Sequence, residues 1–67
     1  MTLLITVGVQ HFVGHTCTGQ IFHNAQLDPV GNNPPPAEAL NSVIARLARQ
    51  LQDQAAELGW LTPRTRP

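Results

Sequence analysis

The longest regular segment of the sequence runs from residue 37 to residue 58 and reads AEALNSVIARLARQLQDQAAEL. It contains neither proline nor glycine, and the good helix formers Ala, Leu, Gln, Arg and Glu dominate it. Apolar residues recur in it at intervals of four and three, interrupted at Gln54, which predicts a helix at about 37–58 with a heptad seam. This dimer or core seam consists of Leu40, Ile44, Leu47, Leu51 and Leu58.

The N-terminal part of the chain alternates in polarity with a period of two. Residues 3–13 read LLITVGVQHFV, which predicts a strand that buries its odd-numbered side chains on one face. A second strand is expected at about 20–27, after a glycine-bounded connection over 14–19. Pairing Val13 with Ile21 places the apolar sets of both strands on one face and sets His11 opposite His23. The hairpin is thus predicted at about 3–27.

Residues 28–36 read DPVGNNPPP, a run of turn-forming residues followed by a proline triplet that stiffens the chain. The predicted fold class is therefore α+β: a small ββα two-layer unit, with an N-terminal β-hairpin packed on one long C-terminal α-helix. It forms a single domain over 1–61 that includes the Pro-rich loop 28–36. Residues 62–67 have no apolar anchor and are expected to form a mobile tail.

The small size of this unit favours a homodimer. A domain of about 60 residues buries only about 60% of its unfolded surface, and an isolated two-stranded hairpin is marginal in water. Cys17 is the only cysteine, so no disulfide can form within the chain. Two copies could join through their sheet edges or pair their helices along the seam, and the sequence leaves both possibilities open.

The balance of charge excludes several functions. Four Lys and Arg residues balance four Asp and Glu residues, whereas a duplex-DNA binder needs excess cations to neutralise phosphates. We therefore expect no direct nucleic-acid binding. No apolar run approaches the roughly 20 residues of a membrane span, so we expect a cytoplasmic protein without membrane contact. No catalytic motif is visible, and we expect neither enzymatic activity nor a cofactor.

All three histidines and the cysteine fall close together, at His11, His15, Cys17 and His23. Imidazole and thiolate are ligands of zinc and copper, which makes these residues candidate metal ligands. Their spacing matches no structural zinc motif, since His11 and His15 would lie about 13 Å apart along a regular strand. The alternative function that this cluster suggests is a metal- or small-ligand-binding regulator, and the favoured interpretation is packing and loop residues.

Candidate partner-binding residues lie on the polar side of the helix and just beyond it, at Arg46, Arg49, Asp53, Trp60 and Arg64. Trp and Arg are enriched at interface hot spots, although Trp60 can equally cap its own helix behind Gly59. The function expected by elimination is a small non-enzymatic protein-binding module. It would act as an inhibitor or regulatory adaptor by occupying a protein partner's surface, as compact phage-type and mobile-element proteins do.

Overall fold

Two antiparallel strands and one helix make up the described part of the chain. The structure is a computed structural model that describes residues 2–62. Strand β1 spans Leu3–Val13, strand β2 spans Thr16–Leu27, and helix α1 spans Ala37–Glu57. Helix α1 begins directly after Pro36, whose carbonyl accepts the Ala39 N–H at 3.0 Å. The predicted order, an N-terminal hairpin followed by one long C-terminal helix, is confirmed.

The connection between the strands is much shorter than predicted. Only Gly14 and His15 separate β1 from β2, so the prediction of a connection over 14–19 is wrong. Gly14 has a φ of 62° at the first central position of the turn. Glycine adopts this conformation without a Cβ clash, and such turns match the twist of a hairpin. A two-residue turn is therefore sufficient to reverse the chain here.

The register of the hairpin differs from the prediction as well. Val13 pairs with Thr16 rather than Ile21, and His11 pairs with Gly19 rather than His23. The ladder is irregular after His11, where Thr18 is the extra residue of a β-bulge. The predicted and observed partners of His11 differ by four positions along β2, an even number. Because side chains alternate with a period of two, the even shift leaves the predicted faces unchanged.

Helix α1 packs on both strands and covers the odd-numbered face of the hairpin. Leu47, Leu51 and Ala55 are the buried residues of the core, with 2–3% of their surface exposed. The side chains that face them from the strands are only half-buried. Of the predicted seam, Leu47 and Leu51 thus pack within the chain and Leu40 is half-buried, whereas Ile44 and Leu58 are exposed. The single chain uses only part of its apolar seam.

The molecule is thin and leaves a large surface open. It measures 47 × 34 × 14 Å, and its radius of gyration is 15.3 Å. A compact domain of this length would have a radius of gyration of about 11 Å. The chain exposes 5408 Å², whereas a compact monomer of its mass would expose about 4,200 Å². The few buried residues and the extended shape are consistent with an incomplete monomer.

None of the described helical residues forms a segment that is both long enough and apolar enough to span a membrane.

Candidate functional site

The outward side of helix α1 carries the charged residues predicted to bind a partner. Arg46, Arg49 and Asp53 are exposed and lie three and four residues apart, which places them on one helix face. Arg49 and Asp53 also line a shallow cavity of about 150 Å³, together with Gln52 and the partly exposed Leu61. We call this region the outer helix surface, and it consists of Arg46, Arg49, Gln52, Asp53 and Leu61.

Trp60 belongs to the contact between helix and hairpin. Gly59, with a φ of 82°, ends the helix, and the Trp60 N–H donates to the Ala55 carbonyl at 2.9 Å. This Schellman arrangement directs the chain back toward the hairpin. The half-buried indole then stacks on the His11 ring, with the ring centroids 5.1 Å apart and an interplanar angle of 13°. Trp60 therefore has a packing partner in its own chain.

The indole also fits over a glycine of β2. A Cβ built on Gly19 would lie 2.7 Å from Cζ2 of Trp60, closer than real side chains approach. Gly19 is the strand partner of His11, so ring and glycine form one platform under the indole. Arg64, predicted to act with Trp60, lies outside the described residues, as does the predicted tail beyond Thr62.

His11 is also hydrogen-bonded to the residue of the bulge. Its Nδ1 bonds to Oγ1 of Thr18, and the Thr18 hydroxyl donates to the His11 carbonyl at 3.3 Å. The bulge thereby fixes the orientation of the imidazole against Trp60.

The other members of the histidine and cysteine cluster point elsewhere. His23 donates from Nε2 to Oε1 of Gln54 at 2.8 Å, which explains why a glutamine interrupts the apolar seam. His15 lies in the exposed turn, and the exposed Cys17 thiol donates to the Gly19 carbonyl at 3.6 Å. Within residues 2–62, no three His, Cys, Asp or Glu side chains are placed to hold a metal ion.

The face of the hairpin opposite the helix is a second candidate surface, and the sequence reasoning missed it. Both phenylalanines of the chain are on it, Phe12 with 52% and Phe22 with 53% of its surface exposed, and Leu4 is 68% exposed. The Phe22 ring occupies the space that a Cβ on Gly8 would fill. The signal was in the sequence, since Leu4, Phe12 and Phe22 are all even-numbered. We call this the outer sheet face; its residues are Leu4, Thr6, Gly8, Gln10, Phe12, Cys17, Gln20, Phe22, Asn24 and Gln26.

A second cleft lies where the Pro-rich loop meets the start of β1. It has a volume of about 340 Å³, and Leu3, Pro29 and residues 31–35 line it. Its lining carries no ionisable side chain, so it offers apolar contact and backbone hydrogen bonding but no acid–base chemistry.

The sequence matches no known protein family, and no curated protein and no solved structure is significantly similar to it. The chain is a small ββα unit with two outer surfaces, a charged one on the helix and an uncharged one on the hairpin.

Proposed function

We propose that this chain is a protein-binding module without catalytic activity, which acts as an inhibitor or regulatory adaptor by occupying the surface of a protein partner. One observation carries the proposal: nine large apolar side chains are exposed, while only three residues of the described chain are buried. Apolar surface in such excess gains free energy when another protein covers it. The phage or mobile-element origin expected from the sequence remains part of this proposal.

The outer helix surface is the proposed contact with the partner. Arg49 and Asp53 place opposite charges at the rim of the shallow cavity, and Leu61 adds an exposed apolar group beside them. An apolar side chain of the partner, flanked by polar groups, would match this arrangement. The formal net charge of zero means that local complementarity, rather than long-range attraction, provides the specificity.

Homodimerisation is the second part of the proposal. The exposed surface exceeds that of a compact monomer by about 1,200 Å². A standard protein–protein interface covers about 800 Å² on each partner. A second copy could therefore remove much of the excess, and the outer helix surface would then be presented twice.

The metal- or small-ligand-binding regulator is the less favoured candidate. His11 and His23 each have a partner of another kind, Trp60 and Thr18 for the first and Gln54 for the second. A metal would have to displace these contacts before a ligand set could form.

Two adjacent substitutions test the outer helix surface. Arg49 lines the cavity, whereas its exposed neighbour Gln50 does not. Affinity capture with the full chain identifies the partner, and calorimetry with the purified partner then compares Arg49→Glu with the neighbouring control Gln50→Glu. Loss of a hot-spot contact should weaken binding at least tenfold, or by about 1.4 kcal/mol or more, for the first variant only.

The inhibitory role is tested in the same comparison by measuring the partner's own activity. The wild type and the Gln50→Glu variant should change that activity, and the Arg49→Glu variant should not. Equal effects of both variants on affinity would remove the assignment to the outer helix surface. Failure of the wild type to bind any protein stoichiometrically would reject the proposed function itself.

A further inference from the structure

The outer sheet face has a composition suited to contact with itself. None of its strand residues is charged, and the carboxylate of Asp28, which accepts a hydrogen bond from Thr2 at 3.1 Å, lies just beyond its end. Covering the strand residues therefore removes no charge from water and brings no like charges together. Its apolar side chains are separated by hydrogen-bonding ones, and Gln10 donates to Gln20 at 3.1 Å across the strands. The face is therefore polar enough to remain hydrated in a free monomer and apolar enough to gain from burial.

The apolar residues on this face are evenly spaced about its middle. Leu4 precedes Gly8 by four positions, Phe12 follows it by four, and Phe22 is the strand partner of Gly8. At about 3.3 Å per residue, Leu4 and Phe12 each lie about 13 Å from the central Gly8–Phe22 pair. A twofold axis that runs parallel to the sheet and perpendicular to the strands at this pair places Leu4 of one copy opposite Phe12 of the other.

We infer that a second copy of this chain covers the outer sheet face, about a twofold axis that passes between the two Gly8–Phe22 pairs. Each Leu4 then packs on Phe12 of the other copy, and the two Phe22 rings meet at the centre. The Phe22 ring occupies the space above Gly8 that a side chain would otherwise fill, which allows the sheets to approach at the usual spacing of about 10 Å. This inference rests on the proposed homodimer and assigns its interface.

The surface areas agree with this arrangement. A standard interface removes about 800 Å² from each partner, which is about two thirds of the excess of about 1,200 Å². The helix covers the opposite face of the same strands. The proposed dimer therefore has four layers, with the two hairpins packed face to face inside and one helix on each outer side. The outer helix surface stays free for a different protein.

A charge-exchange experiment tests both the occupant and the orientation. Sedimentation velocity over a wide concentration range measures the dimer dissociation constant of the wild type, of Leu4→Lys and of Phe12→Glu. Each substitution enters the interface twice, so each variant alone should dimerise at least about 100-fold more weakly. An equimolar mixture should dimerise again, because Lys at position 4 of one chain meets Glu at position 12 of the other, while the second Leu4–Phe12 contact is intact.

The matched control is Val30→Lys, which introduces the same charge at an apolar residue that is 66% exposed and lies outside the sheet. It should leave the dissociation constant within about twofold of the wild type, as is usual for surface substitutions. Circular dichroism follows folding in parallel. If the single variants unfold as monomers, mixing them should restore the structure together with the dimer.

Three results would overturn the inference. A wild type that stays monomeric would remove both the homodimer and this interface, without affecting the test of partner binding at Arg49. If the wild type dimerises and neither Leu4→Lys nor Phe12→Glu weakens the dimer, the homodimer is supported, but its interface must lie at the sheet edges or on the helices. Variants that lose the dimer but do not recover on mixing would reject the Leu4–Phe12 contact.

Discussion

Replacing Trp60 with alanine should destabilise the fold by about 3 kcal/mol. This value is the sum of two contributions, the burial of the indole and its stacking on His11. A buried tryptophan removes about 150–250 Å² from water, so the half-buried Trp60 removes on the order of 100 Å². At about 25 cal/mol per Å² this contributes about 2.5 kcal/mol. The stacked pair with His11 adds about 0.5–1.5 kcal/mol. Such a loss is large, because a chain of this length has about 3–10 kcal/mol in total.

The measurement is urea and thermal unfolding followed by far-ultraviolet circular dichroism, at one protein concentration for all variants. Fluorescence is unsuitable because Trp60 is the only tryptophan. The midpoint should fall by roughly 12–24 °C, given about 4–8 °C for each kcal/mol in a domain of this size. Leu61→Ala is the control, since this neighbouring side chain is 47% exposed and should cost well under half as much.

A double-mutant cycle with His11→Ala isolates the stacking contact. If the rings interact as described, the sum of the two single losses of unfolding free energy should exceed the loss in the double variant by about 0.5–1.5 kcal/mol. Gly19→Ala tests the same contact from the strand, because the added Cβ would lie 2.7 Å from the indole of Trp60 and displace it. Additive effects in the cycle, or a cost of Trp60→Ala equal to that of Leu61→Ala, would refute the placement of Trp60 against the hairpin.

Other predictions concern the turn, the seam and the metal hypothesis. Gly14→Ala should lower stability by about 1–2 kcal/mol in urea unfolding, because the residue has a φ of 62°. Gln54→Ala should cost about 1 kcal/mol by removing the acceptor of His23, and the cost should shrink in a His23→Ala background, measured as a thermal cycle. A chelator should leave the thermal midpoint unchanged, whereas a clear decrease would show that a metal stabilises the native state.

The helix and its end could be predicted because their determinants are local. The run of helix formers after Pro36 is uninterrupted, and a glycine follows the last turn, so local sequence determines both ends of the helix. In the structure α1 spans Ala37–Glu57, and Gly59 has a φ of 82°. The same locality explains a limit of the prediction. The sequence permitted Trp60 to fold back, but only the tertiary structure determines that His11 and Gly19 receive it.

Each candidate site likewise combines features that the sequence predicts with features that only the fold determines. Exposure of Arg46, Arg49 and Asp53 follows from helical spacing alone, whereas the cavity that joins two of them to Leu61 depends on how the chain turns after Gly59. The outer sheet face was overlooked because Thr, Gly and Gln on the even positions of β1 are typical of a solvated face. That the two phenylalanines share one face is evident only when both strands are considered in one register.

The bulge explains why the predicted faces were right although the predicted register was wrong. A two-residue turn at Gly14 pairs Val13 with Thr16, an odd position with an even one. An unbroken ladder from that point would set Leu3, Ile5 and Val9 beside the polar residues Gln26, Asn24 and Gln20 of β2. The extra residue Thr18 restores odd-to-odd pairing from His11 and Gly19 onward. Turn and alternation are thus incompatible without one inserted residue, so a bulge near the turn follows from the sequence once the turn is placed at Gly14.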